Sequence, residues 1–145
     1  MCSSDLLGRD FGATHVVAER GDDGVARVLD LTGDEGAHVV LEAVGHMPAY
    51  EQAYRIVRPG GTISRVGVPQ FEDDPVGFAS LFGKNATLTG GPATIRAYIE
   101  AALPQVLDGS IDPGRVFDRE LPLSEIAEAY RLMDSREALK VLIRP

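Results

Sequence analysis

The run HVVLEAVGHMPAYEQAYRIVRPGGTISRVGVP, His38 to Pro69, constrains the fold more than any other part of this chain. It opens on HVVLEAV, an apolar run broken by Glu42, which suits a strand buried on both faces. Gly45 ends that strand. Pro48 fits the first turn of a helix. Tyr50, Ala53, Tyr54 and Val57 recur at helical spacing and form one apolar stripe. Pro59-Gly60-Gly61 is a strong breaker, and TISRVGV, Thr62 to Val68, reads as the next strand. A strand, a helix and a strand joined by short turns make a crossover between parallel neighbours.

The rest of the chain repeats the alternation and then departs from it. Leu6 to Phe11 reads as a short helix closed by Gly12, and THVV, Thr14 to Val17, as a β-branched strand. Asp22 or Asp23 is placed to cap a helix over Val25 to Leu31, and Gly33 and Gly36 bracket a turn. Phe78 to Phe82 is a turn or short helix, and ATLTGG, Ala86 to Gly91, a strand. A helix over Thr94 to Leu107 carries Ile95, Ile99, Ala102 and Val106 on one side, and Asp108-Gly109 closes it. Val116 to Leu121 reads as a strand, and Ser124 as an N-cap. Ile126, Ala127, Tyr130 and Met133 form the expected buried face of the next helix. ALKVLI, Ala138 to Ile143, is a final strand. The fold class is therefore α/β, a mainly parallel sheet with helices on both faces, followed by a mixed α+β tail.

Composition narrows the function classes. The chain has 145 residues, 44% of them hydrophobic and 25% charged, with a formal charge of −8. An acidic chain has no electrostatic case for nucleic acid or an anionic membrane surface. No apolar run approaches the roughly 20 residues that span a bilayer. The start, MCSSDLLGRD, lacks the basic and apolar regions of a signal peptide. Cys2 is the single cysteine, which points to a cytoplasmic setting.

Three strand ends carry glycine: Ala43-Val44-Gly45, Val66-Gly67-Val68 and Thr89-Gly90-Gly91. In an open parallel sheet, ligands bind outside the carboxyl ends of the strands. Glycine there lets a flat ligand approach the backbone. The plainer alternative is turn punctuation.

The segments GAHVVLEAVG, RIVRPGGTISRVGVP, KNATLTGG and FDRELPLSEIAEAYRLMDSREALKVLIRP, in that order, resemble the carboxyl part of medium-chain dehydrogenases of the zinc-dependent alcohol dehydrogenase group. The resemblance covers nearly all of Gly8 to Pro145. It implies a truncated Rossmann-type sheet over residues 1–91 and a segment of the GroES-like catalytic domain over residues 92–145. It implies NAD(P) as cofactor. Ala43, Val44 and Gly45 would face the riboside and adenosine side, and Val66, Gly67 and Val68 the nicotinamide. Gly90, Gly91 and Pro92 would lie along the nicotinamide ring. Lys140, in the last strand, would reach the pyrophosphate. Its alternative is a solvated lysine. His46 falls where some relatives place an arginine near the cofactor.

The family's catalytic zinc takes Cys, His and acidic ligands upstream of this chain, and the spacing of His15, His38 and His46 matches no ligand motif. No catalytic residue and no metal ligand is therefore expected here. No G-x-G-x-x-G loop occurs, so the chain is expected to begin in the second helix of the nucleotide-binding domain, without the first βαβ unit. Thr14 to Val17 would then lack a strand neighbour, and the strand from His38 would have an open edge. Met1 to Leu6 matches no part of the pattern. A start codon followed by TGC TCT TCC GAT CT encodes it, a string similar to a sequencing adapter, and the same residues in intact source DNA would exclude that origin.

The expected parent is an oxidoreductase transferring hydride between an alcohol or aldehyde substrate and NAD(P). This chain alone would keep only part of the cofactor site. A non-catalytic half-sheet that binds a nucleotide or a partner, or part of a zincless quinone or enoyl reductase, are the alternatives. The resemblance also implies a homodimer through the Ala86–Thr89 strand.

Overall fold

The computed structural model describes residues 3–70 and 77–145. Two compact units result: Val17–Thr94, and the segment up to Val16 together with Ile95–Pro145. The elements in chain order are α1 (Ser3–Asp10), α2 (Gly21–Leu31), β1 (Ala37–Glu42), α3 (Met47–Ile56), β2 (Val57–Arg65), α4 (Phe78–Lys84) and β3 (Thr87–Gly90). After them come α5 (Ile95–Leu107), β4 (Arg119–Pro122), α6 (Ile126–Asp134) and β5 (Val141–Arg144). Short 3-10 turns at Pro113–Val116 and Leu123–Glu125 precede β4 and α6. Among the described residues no helix is long and apolar enough to cross a membrane.

In the unit Val17–Thr94 the strands lie in the order β1-β2-β3, all parallel. Register aligns Val40 with Ile63 and Ile63 with Leu88, so these side chains share one face. That face meets α3, whose Ala53 is 3% exposed beside Ile63 at 0% and Val57 at 1%. Burying a side chain such as Ile63 contributes about 1.5–3 kcal/mol. The other face is open. Val39 and Leu41 are 57% and 73% exposed, so β1 is buried on one face, not on two as its apolar run implied. Unbroken apolarity cannot tell a covered face from an open one.

Pro59-Gly60-Gly61 breaks the helix as expected but lies inside β2. Between Ala37 and Val39 β1 advances two residues while β2 advances five, from Val57 to Thr62, so three residues loop out of the ladder. Gly60 supplies a φ of +75° there, a conformation that favours glycine. The strand consequently starts at Val57 and stops at Arg65, short of the expected Val68. Lys84 ties α4 to α3: its Nζ donates to the carbonyls of Tyr54 at 2.5 Å and Arg55 at 3.2 Å. A cation among the last carbonyls of a helix complements their partial negative charge.

In the other unit β4 and β5 are parallel, joined through α6, and Ala129, Ala138 and Val141 form the core. Asp118 clasps the two strands. Its carboxylate accepts from the amides of Leu139 at 3.0 Å and Lys140 at 3.3 Å. Those amides, Leu139's first, hold its carboxyl below the usual value.

Five further expectations change. Thr14 to Val17 forms no strand: it is irregular and His15 is exposed, because a β-branched run needs a ladder partner and no strand among the described residues pairs with it. Asp22 and Asp23 sit in the first turn of α2, while Arg20 occupies the N-cap and makes no side-chain cap bond to the helix. Ser124 lies within a 3-10 turn, and Glu125 is the N-cap of α6. The buried side of α6 is Ala129 with Leu132 and Met133. Ile126 and Tyr130 are exposed, a rotation set by which flank meets β4 and β5. Lys140 precedes β5 instead of lying in it.

Candidate functional site at the strand ends

The carboxyl ends of β1, β2 and β3 are stitched together by backbone bonds centred on Glu42. Its carboxylate reaches forward along the chain, and Oε1 accepts from the amides of Val44 at 2.7 Å and Gly45 at 2.8 Å. Its carbonyl accepts from the amides of Val66 at 2.8 Å and Gly67 at 3.1 Å. The Gly45 carbonyl accepts from Gln70 at 3.0 Å, and the Arg65 carbonyl from Gly91 at 2.8 Å. Glu42 is only 5% exposed. Sequence reasoning passed over it as a break in an apolar run, although a lone carboxylate at a buried strand end is itself a signal, since burial demands partners.

The glycines serve these contacts. A Cβ on Gly45 would stand 2.0 Å from the Val68 carbonyl oxygen, and one on Gly90 2.0 Å from that of Arg65. On Gly67 it would meet the Gly45 nitrogen at 2.3 Å. At these three positions the missing side chain makes room for the neighbouring strand end. Gly91 is different: nothing lies within 4 Å of the place its Cβ would take.

A cavity of about 170 Å³ lies between the ends of β2 and β3, walled by Arg65 to Pro69 and Gly90 to Pro92. It brings together Val66, Gly67, Val68, Gly90, Gly91 and Pro92, six of the residues singled out in the sequence. Its wall is mainly apolar, and Val66 and Val68 are 54% and 76% exposed. Arg65, which the sequence reading did not single out, adds a cation at the rim. Its guanidinium stands 5.2 Å from the ring centroid of the buried Tyr50.

None of Ala43, Val44, Gly45 and His46 lines this cavity. Gly45 backs onto Val68, but Ala43 and Val44 line a separate hollow of about 180 Å³ with Ala49, Gln52 and Ile56. His46 is the exposed N-cap of α3 and makes no side-chain cap bond. Lys140 is exposed in the other unit, its amide on Asp118.

Two groups implied by the resemblance meet different fits. The cavity, with an apolar wall and bare backbone at Gly91, suits one flat face of a nicotinamide. Zinc does not fit: among the described residues no three His, Cys, Asp or Glu side chains stand close enough to hold a metal ion. Cys2 lies outside the described residues.

Comparison with known proteins gives the family. Residues 6–108 match the zinc-binding dehydrogenase family. A zinc-type alcohol dehydrogenase B of Aspergillus flavus is 32% identical over 139 residues, 95% of this chain and 32% of that protein. The solved alcohol dehydrogenase from Thermus sp. ATN1 superposes with a TM-score of 0.88 at 38% identity, over 97% of this chain and 41% of that one. A solved NAD-dependent alcohol dehydrogenase gives 0.82 at 25% identity, over 99% and 42%. The chain thus spans about a third of the length of that curated relative. With the family matched over most of its residues, and α/β parallel sheets to accompany it, the chain belongs to the zinc-binding dehydrogenases.

Proposed function

We propose that this chain supplies the nicotinamide side of an NAD(P) site in an alcohol dehydrogenase, an oxidoreductase that transfers hydride between an alcohol or aldehyde and the cofactor. The observation that carries this reading is the single cavity walled by the ends of β2 and β3, at the carboxyl edge where parallel sheets take nucleotides. A bound nicotinamide supplies the carbon that accepts or donates hydride. Val66 and Val68 offer that ring apolar surface and exclude water, and Gly91 leaves the backbone bare beside it. Ala43, Val44, Gly45 and His46 are assigned to the riboside side and Lys140 to the pyrophosphate, on the family pattern. The zinc ligands and the catalytic acid–base groups of the parent enzyme belong to other parts of that enzyme. The edge of β3, which among the described residues pairs with β2 alone, is assigned to pairing with a second copy.

The test is titration of the purified chain with NADH and NADPH, followed by nicotinamide fluorescence, with circular dichroism on the same sample. Saturable binding by a cooperatively folded chain supports the reading. A folded chain that binds neither cofactor refutes the proposal that the cavity acts in this chain.

A further inference from the structure

We infer that Glu42 is a positioning residue for the cavity, gripping one strand end with its side chain and the next with its carbonyl; this rests on the NAD(P) reading above. A carboxylate at 5% exposure on the helix-facing side of a strand is costly unless its oxygens are bonded. Val or Leu would fill the same place without that cost. What the carboxylate does there is local and directional. Oε1 takes two consecutive amides, Val44 and Gly45, which holds the chain in the tight turn after β1. That turn brings Gly45 against Val68, where the two backbones touch closely enough to exclude a Cβ. The carbonyl of the same residue holds Val66 and Gly67, which wall the cavity. Val66 to Val68 are therefore fixed from both ends by one residue that does not itself line the cavity.

The consequence is that shape, not charge, passes from Glu42 to the site. A glutamine keeps an oxygen acceptor at the same position. A leucine keeps the volume and leaves both amides without this acceptor, that of Gly45 buried.

The experiment compares the full chain with Glu42→Gln and Glu42→Leu by NADH titration and by amide hydrogen exchange at Val44, Gly45, Val66 and Gly67. Glu42→Met replaces Glu42→Leu should the latter not fold. The apolar variants are expected to weaken NADH binding by roughly tenfold or more, the effect of a small displacement of a positioning contact, and to speed exchange at all four amides. Glu42→Gln is expected to restore both. Equal exchange in wild type and the apolar variants overturns the inference, as does equal NADH affinity. Loss of binding in Glu42→Gln to the same extent as in the apolar variants also overturns it, because charge would then be the operative property. Failure of the wild type to bind NADH, with the exchange pattern as expected, refutes the cofactor reading and leaves the clamp established as a structural device.

Discussion

Replacing Gly45 by alanine tests the claim that the strand-end glycines make room for the chain itself. Gly45 has a φ of +83°, and its new Cβ would stand 2.0 Å from the Val68 carbonyl oxygen and 2.9 Å from the Val68 nitrogen. The left-handed conformation alone costs a non-glycine residue about 1–2 kcal/mol. Relief of the clash requires the ends of β1 and β2 to part, which breaks the bond from Gln70 to Gly45 and strains that from Gly45 to Glu42. Stranding one buried polar group costs about 1–3 kcal/mol. Together these predict a loss of about 2–5 kcal/mol. A unit the size of Val17–Thr94 has a total stability on the order of 4–12 kcal/mol, so the loss takes a large share. The assay is urea unfolding followed by circular dichroism and tyrosine fluorescence. At a slope of about 1.5 kcal/mol per molar, a loss of 3 kcal/mol lowers the midpoint by ~2 M. Gly83→Ala is the control. It lies in α4 with nothing within 4 Å of its Cβ position, and alanine there is expected to stabilise by about 0.4–1 kcal/mol. A Gly45→Ala midpoint equal to wild type would refute the reasoning.

Three other outcomes are expected. Ile63→Ala should cost about 2–5 kcal/mol, whereas Leu41→Ser, at a position 73% exposed, should stay within about 0.5 kcal/mol; equal losses in urea melts would contradict one-sided burial of β1. Lys84→Met removes the donor to the Tyr54 and Arg55 carbonyls and should lower stability by about 1 kcal/mol, an expectation that an unchanged midpoint defeats. The Asp118 carboxyl is held below its ordinary 3.8 in the folded state, first by the Leu139 amide. Its contribution is therefore complete above that ordinary value and is lost as pH falls through the lower, folded value. Glu128 and Glu137 are lowered by Arg131, and Glu120 by Arg144, so they act in the same direction. Acid unfolding followed by circular dichroism should show a shallower pH dependence in Asp118→Asn than in wild type, and identical curves would remove the clasp from the account.

What the sequence disclosed was local pattern. Pro48 and the stripe Tyr50, Ala53 and Tyr54 placed α3, although Val57, read as part of the same stripe, opens β2, and alternation with strands placed the parallel order. What it concealed depends on partners distant in the chain. Thr14 to Val17 has strand-forming side chains, but ladder bonds come from a neighbour that no local pattern supplies. Val39 and Leu41 read as core until the uncovered face is seen. At the strand ends, Gly45, Gly67 and Gly90 stand where another strand end comes close, an approach that the local pattern does not disclose. Glu42 escaped notice because its partners are backbone amides, which leave no mark on side-chain pattern.

The order β1-β2-β3 is also the order in which these strands occur along the chain. Each crossover joins nearest neighbours, so loop closure is local at every step. A chain emerging from its amino end can settle Ile63 against Val40 before Leu88 exists. Along the sheet β1-β2-β3 the cavity comes last, because Gly91 meets Arg65 only once β3 has docked. A ligand that fills it therefore acts on that final docking step, adding to the stability of the completed sheet while doing nothing for the β1–β2 pair that must already have formed.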